Sequence, residues 1–257
     1  MNCSALRGTR FESGAAPTLI SEFDSDLELL DTLGRIGFVP TYPGWWPHAW
    51  AWFFGGSWLD ENGRFQPDHP GNVGAFEWIA SLRDQPHMDR YPDPVNPVGA
   101  REPDPFLSGE VAMVFEGDFL VARLATIPGF EWACAASPTV SGKPAAMVLA
   151  DVEAVPTDAK NIDGAAAFLR FASTRSNMEI VALGQGKISP LVDCSQAFLT
   201  DHPNPKLAEL QRILDSATLF HDPRVPGWLG YLDRIKKAFS DVWTHGREPD
   251  AALAAIA

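Results

Sequence analysis

Apolar residues along this chain recur with two periods, and each period predicts its own kind of element. Phe23, Leu27, Leu30, Leu33 and Ile36 fall at helical spacing and predict a helix over 22–36, stopped by Gly37. Val73, Phe76, Ile79 and Leu82 predict a second helix over NVGAFEWIASLR, and His48 to Phe54 a short aromatic one ending at Gly55-Gly56. Asn161 is placed to cap a packed helix over GAAAFLRFAS. Asn204-Pro205 is placed to open KLAELQRILDSATLF. Leu232, Ile235, Phe239 and Val242 share one face of a helix over 228–244 that Gly246 ends, and Pro249 opens a last short helix. Continuous apolar runs predict strands at Val111–Phe115, in EWACAAS and in AAMVLADVEAVP, the last long enough to pass between two domains. A helix is expected from Asp118 to Thr126. Residues 1–20 show neither period and read as an unstructured lead, and six prolines make 84–105 an irregular loop. Strands alternating with helices give an α/β class.

Composition narrows the functions available. Of 257 residues, 33 are Asp or Glu and 20 Lys or Arg, a net charge of −13 that disfavours binding to phosphate backbones. No apolar run is long enough to cross a bilayer, so an integral membrane protein is excluded. The first twenty residues contain no apolar core of a secretory signal, which alone would leave the chain in the cytoplasm. Cys3, Cys134 and Cys194 are far apart and form no CxxC, against a disulfide framework or a zinc ribbon; a single Cys134–Cys194 bridge stays open.

Candidate chemistry concentrates in two places. Trp45, Trp46, Trp50, Trp52 and Trp58 crowd one short segment. Trp45 and Trp46 lie between Gly44 and Pro47 in loop chemistry, where flat rings suit stacking on a sugar, while Trp52, Phe53 and Phe54 suit the core. Glu116 and Asp118 flank Gly117 after a buried strand, where α/β proteins place ligands. They are candidates for hydrogen bonds to a ligand, for a helix cap at Asp118, or for a glycosidase acid–base pair. The surroundings of Lys187 lack the first glycine and the hydroxyl of a phosphate loop, and the histidines have no metal-binding spacing. No catalytic residue, metal or cofactor is assigned.

Four stretches, in this order, resemble a known family. They are GFVPTYPGWWPHAWAWFFGGSWLDENGRF, DPFLSGEVAMVFEGDF, VPTDAKNIDGAAAFLRFAST and THGREPDAALAAIA. The chain resembles the extracellular solute-binding proteins of family 1, the sugar-capturing components of ABC importers. The resemblance implies a periplasmic-binding-protein-like α/β fold of type II, closing two lobes on a carbohydrate and delivering it to permease subunits. By the family's pattern, rings at Trp45, Trp46 and Trp50 stack on the sugar, and Glu116, Asp118 and Phe119 add contacts. Trp228 or Tyr231 contributes from the penultimate helix. Where the family carries small glycines, this chain has Asp151 and Glu153, and Asp151 can itself accept a sugar hydroxyl.

The resemblance also sets an organisation: a lead over 1–21, a second lobe over 22–146, a hinge crossing and first-lobe remnant over 147–192, and C-terminal helices over 193–257. Most of a first lobe is then missing, so a truncated receptor is expected, with exposed apolar faces on 147–192. The family setting is the periplasm or cell surface. The rival readings are a small glycoside hydrolase using Glu116 and Asp118, and a degenerate lobe making only protein contacts.

Overall fold

A continuous apolar strand organises the molecule. The computed structural model describes residues 2–7, 16–44, 46–91, 104–124 and 126–257, with 2–7 and Ala122 as backbone only. Strand β3 (Val111–Gly117) is buried along its whole length, as an interior strand covered on both faces must be. It lies in a four-stranded sheet with β1 (Asn2–Arg7), β2 (Ile36–Phe38) and β4 (Trp132–Ala135), in the order β2-β3-β1-β4. β2 runs parallel to β3, with Ile36 opposite Val111. β1 is antiparallel to both its neighbours, with Asn2 opposite Gly117 and Ala5 opposite Cys134. A second pair, β5 (Ala145–Met147) and β6 (Thr218–Phe220), is parallel.

Helix α1 (Ile20–Thr32) buries Phe23, Leu27 and Leu30 against the sheet. Its Glu22 carboxylate reaches back to the N–H groups of Thr18 and Leu19, and these bonds lower its pKa. Gly37 lets β2 press onto this helix, because a Cβ there would sit 2.5 Å from Leu27 Cδ2 and 3.3 Å from Leu27 Cα. The rest of the main core comes from α2 (Ala49–Phe53), α3 (Pro70–Arg83), α10 (Trp228–His245) and α11 (Pro249–Ala254). On α10, Ile235, Phe239 and Val242 point inward together with Tyr231 and Trp243, and Gly246 ends the helix at φ 63°. Short helices α4 (Pro105–Ser108) and α5 (Phe119–Leu124) flank β3. Beyond β5 come α6 (Ile162–Ala172), α7 (Arg175–Gln185), α8 (Gln196–Asp201) and α9 (Leu207–Ser216). Ala182, Phe198 and Leu207 form a small separate core among α7, α8 and α9.

Several expectations change. The helix over 22–36 stops at Thr32, because Gly34 at φ 71° breaks it; Leu33 is left exposed and Ile36 joins β2. Residues 2–7, inside the supposed lead, form an interior strand of the sheet. Asn204 accepts a bond from Lys206 N at 2.8 Å in a turn just before α9, and Thr218–Phe220, taken as its last turn, is β6. The strand expected over 145–156 keeps regular structure only at 145–147. Asn161 does cap α6, accepting from Gly164 N at 2.9 Å. Yet α6, expected to be packed, has no buried residue at all. Cys134 and Cys194 are both free thiols. Among the described residues no helix is long and apolar enough to cross a membrane.

Candidate functional site

The aromatic segment enters the core through Pro40 to Gly44, with a cis Tyr42–Pro43 bond, and continues from Trp46 into α2. One turn of helix sends alternate rings of α2 in opposite directions. Trp50 and Phe53 meet Phe115 of β3 at 5.2 and 5.4 Å between ring centres, and Trp50 also meets Phe38 and Trp78. Trp52 turns the other way, stacked on Phe220 at 5.5 Å and edge-on to His48. Trp50, at 4% exposure, is a core ring. Trp46 is half-buried at the margin of this cluster, edge-on to Phe115 at 6.1 Å and tilted against Phe119 at 6.4 Å. Phe119 is 44% exposed. Trp45 lies outside the described residues.

Below these rings a shallow depression is lined by Phe38, Pro40, Tyr42, Gly44, Trp46, Trp50 and Phe115. Its volume of about 10 Å³ admits one water at most, so on its own it does not enclose a sugar ring. The arrangement is an open aromatic wall rather than a cavity.

The two carboxylates at the end of β3 are both buried and both accept backbone bonds. Glu116 takes the N–H of Gly117 at 2.8 Å. Asp118 takes that of Ile188 at 3.0 Å, tying the end of β3 to the segment after α7. Asp151 stands apart and exposed, paired with Lys187 Nζ at 3.0 Å. Through the Lys187–Ile188 step it is nonetheless joined to the Asp118 end of the site.

Two buried polar pairs flank α2, one beside the wall and one on its other side, and sequence reasoning missed both. The Tyr42 hydroxyl donates to Asp104 Oδ1 at 2.6 Å, and Asp104 caps α4 by accepting from Phe106 and Leu107 N–H. Burial, the Asp104 bond and charge, and then Glu116 hold the Tyr42 phenol protonated far above its ordinary pKa. The Asp104-Pro105 dipeptide was the available signal, a cap followed by proline at the first helical position. The second pair is buried His48, whose Nε2 lies 2.9 Å from Asp222 Oδ1. Burial alone would raise the Asp222 pKa, but the His48 bond and charge, with the Trp228 indole, bring it below the ordinary value.

Trp228 and Tyr231 pack on the far side of α2 from β3. Trp228, 5% exposed, is edge-on to His48 at 5.9 Å. Tyr231 is fully buried and stacked on Phe65 at 4.0 Å, and burial raises its pKa. The structure therefore brings Trp46, Trp50 and Phe119 together around the end of β3, and buries Glu116 and Asp118 at the same strand end with their bonds turned to Gly117 and Ile188. It gathers Trp228 and Tyr231 separately as core, and leaves Asp151 at a polar margin.

No curated protein sequence matches this chain significantly. Among solved structures it is similar to CpMnBP1 with mannotriose bound, at 20% identity and a TM-score of 0.81, covering 99% of this chain and 69% of that one. It is also similar to maltose-bound MalE3 of T. maritima, at 19% identity and a TM-score of 0.70, covering 99% and 68%. A third is the substrate-binding protein Lmo0181 of Listeria monocytogenes in complex with cycloalternan, at 18% identity and a TM-score of 0.71, covering 99% and 67%. At these identities the likeness shows the fold, the periplasmic-binding-protein-like α/β fold of ABC-transporter sugar receptors, of whose length this chain spans about two thirds. The family model of bacterial extracellular solute-binding proteins matches residues 14–179, and the chain belongs to that family.

Proposed function

We propose that this chain binds a sugar or short oligosaccharide, without turning it over, and presents it to the permease subunits of an ABC importer. The observation that carries this reading is the aromatic wall at the end of β3, where half-buried Trp46 packs on Phe115 and on exposed Phe119, with the carboxylates of Glu116 and Asp118 at neighbouring positions of the chain. Aromatic faces offer the apolar side of a sugar ring a stacking surface, and carboxylates accept its hydroxyl protons. Trp45, next to Trp46 in the sequence, stays a candidate contact by its residue type alone. Asp151 and its partner Lys187 form a polar margin that can meet a second sugar unit. Trp50, Trp228 and Tyr231 act from the core, fixing the wall rather than touching the ligand.

The open wall supplies one side of a binding site, and closing a second surface over the ligand would supply the rest. Extracellular placement, as in the family, accompanies this function. Isothermal titration with mannotriose, maltose and cycloalternan tests the reading. Saturable binding to at least one, weakened tenfold or more in Trp46→Ala and in Phe119→Ala, supports it. No saturable binding to any carbohydrate, or titrations unchanged in both variants, contradicts it. Turnover of a chromogenic glycoside that is lost in Glu116→Gln would replace it with a hydrolase.

A further inference from the structure

His202 follows the last turn of α8, half-buried and edge-on to Phe198 at 4.9 Å. Both nitrogens of its ring are engaged. The N–H of Asn204 donates to Nδ1 at 3.0 Å, so that nitrogen carries no proton in this arrangement. The ring proton is then on Nε2, which lies 3.0 Å from the main-chain oxygen of Lys187 and donates to it. The histidine is held as one neutral tautomer, with its single ring N–H aimed at one carbonyl.

That carbonyl belongs to the peptide group joining Lys187 to Ile188. The N–H of the same trans peptide points the opposite way and donates to Asp118 Oδ2 at 3.0 Å. One peptide group is therefore held from both sides, by a ring after α8 and by a carboxylate at the end of β3. Bonds aligned through one peptide polarise each other, so each strengthens the other. Other contacts fix where the two residues sit. The Lys187 N–H reaches Ala182 O at 3.0 Å, its Nζ reaches Asp151 at 3.0 Å, and the Ile188 side chain packs on two small cores. The tilt of the peptide plane between them is set by its own two bonds.

Asp118 carries the constraint to the wall. Its side chain is buried, and its main-chain oxygen accepts the Val121 N–H at 3.1 Å as α5 begins. The next residue is Phe119, whose ring folds back over Gly117, where a Cβ would collide with it. The setting of Asp118 thus governs where the Phe119 ring stands against Trp46.

We propose that His202 is a positioning residue for the wall at the end of β3: its Nε2–H fixes the Lys187–Ile188 peptide, that peptide fixes Asp118, and Asp118 sets the Phe119 ring against Trp46. The proposal rests on the sugar-binding reading above, and adds to it a residue that touches no sugar.

Two substitutions separate the roles of the two ring nitrogens. His202→Gln places an amide donor where Nε2 stands, keeping the bond to Lys187 while giving up the acceptor for Asn204. His202→Asn keeps an acceptor where Nδ1 stands and gives up the bond to Lys187. The first measurement is hydrogen exchange at the Ile188 amide, followed by NMR on the full chain without ligand. Exchange is expected to quicken about fivefold or more in His202→Asn and to stay near its original rate in His202→Gln. The second is isothermal titration with mannotriose, maltose and cycloalternan. Whichever sugar binds the unaltered chain is expected to bind His202→Asn about fivefold more weakly and His202→Gln nearly as before. A merely structural histidine would leave affinity indifferent to which nitrogen is replaced. Unchanged Ile188 exchange in His202→Asn overturns the proposal whatever the sugars do. Equal sugar binding by the two variants also overturns it, and leaves the sugar-binding reading standing. Failure of all three sugars to bind the unaltered chain overturns that reading, and the proposal with it.

Discussion

The aromatic core around α2 and the segment from 148 to 192 have similar shares of apolar residues and opposite fates. Trp50, Phe53, Phe76, Trp78 and Phe115 are all closed in by β3, α3 and their neighbours. Phe168, Phe171, Ile180, Val181 and Val192 are all open, Val152 is 85% exposed, and regular structure is absent from 148 to 156. Hydrophobicity decides that a residue is worth covering, while the topology decides whether anything is there to cover it. In the first region an interior strand and four helices converge on one set of rings. In the second, two helices touch little beyond each other and the small core of α8 and α9.

That contrast is sharpest at Trp50. Trp50→Ala removes a ring that meets Phe38, Phe53, Trp78 and Phe115, and should cost about 3–5 kcal/mol in a chemical denaturation midpoint. A loss below about 1 kcal/mol would mean that the core is far looser than described. Asp104→Ala comes next, since it strips a buried acceptor from the Tyr42 hydroxyl and from two helix N–H groups. About 2–3 kcal/mol is expected by the same measurement. Tyr42→Phe, which removes the donor to Asp104 and a long 3.4 Å acceptor of the Phe106 N–H, should cost about 1 kcal/mol.

A smaller effect is expected from pH. The Asp222 carboxyl is held below its ordinary value in the folded chain, so the folded chain takes up this proton less readily than the unfolded one. The stabilisation is complete above the ordinary aspartate pKa of about 3.9 and is lost as pH falls through the lower folded value. Asp222→Asn should therefore flatten the acid limb of melting temperature against pH. An identical acid limb would show that the His48–Asp222 contact contributes no linkage. At the bottom of the scale, Phe168→Ala should change the stability of the single chain by less than about 0.5 kcal/mol. A core-sized loss there would mean that α6 is packed after all.

The sequence disclosed what depends on local periodicity and hid what depends on distant pairing. The helices at α3, α10 and α11, the β3 run and the Asn161 cap were legible because spacing and terminal residues declare them. β1 was not: NCSALR is six residues with no β-branched or aromatic side chain, and it is a strand because Asn2 meets Gly117 and Ala5 meets Cys134 across more than a hundred residues. α7 and α8 escaped for want of a clear apolar stripe. At the candidate site the residue types were visible, but not their depth. The aromatic character of Trp50, Trp228 and Tyr231 reads the same as that of Trp46 and Phe119, and only the fold puts the first three in the core. Tyr42–Asp104 and His48–Asp222 join residues 62 and 174 positions apart, which no motif spacing reveals.

The most direct test of the proposed sugar site follows the indole N–H signals of the nine tryptophans by NMR while mannotriose is added. Assignment by single Trp→Phe variants identifies each signal. The account predicts a saturable shift at Trp46, with little change at Trp58, Trp78 and Trp243, whose indoles donate to His48 O, Asp24 and Tyr91 O. Saturable shifts confined to those core indoles, with Trp46 unmoved, would contradict it.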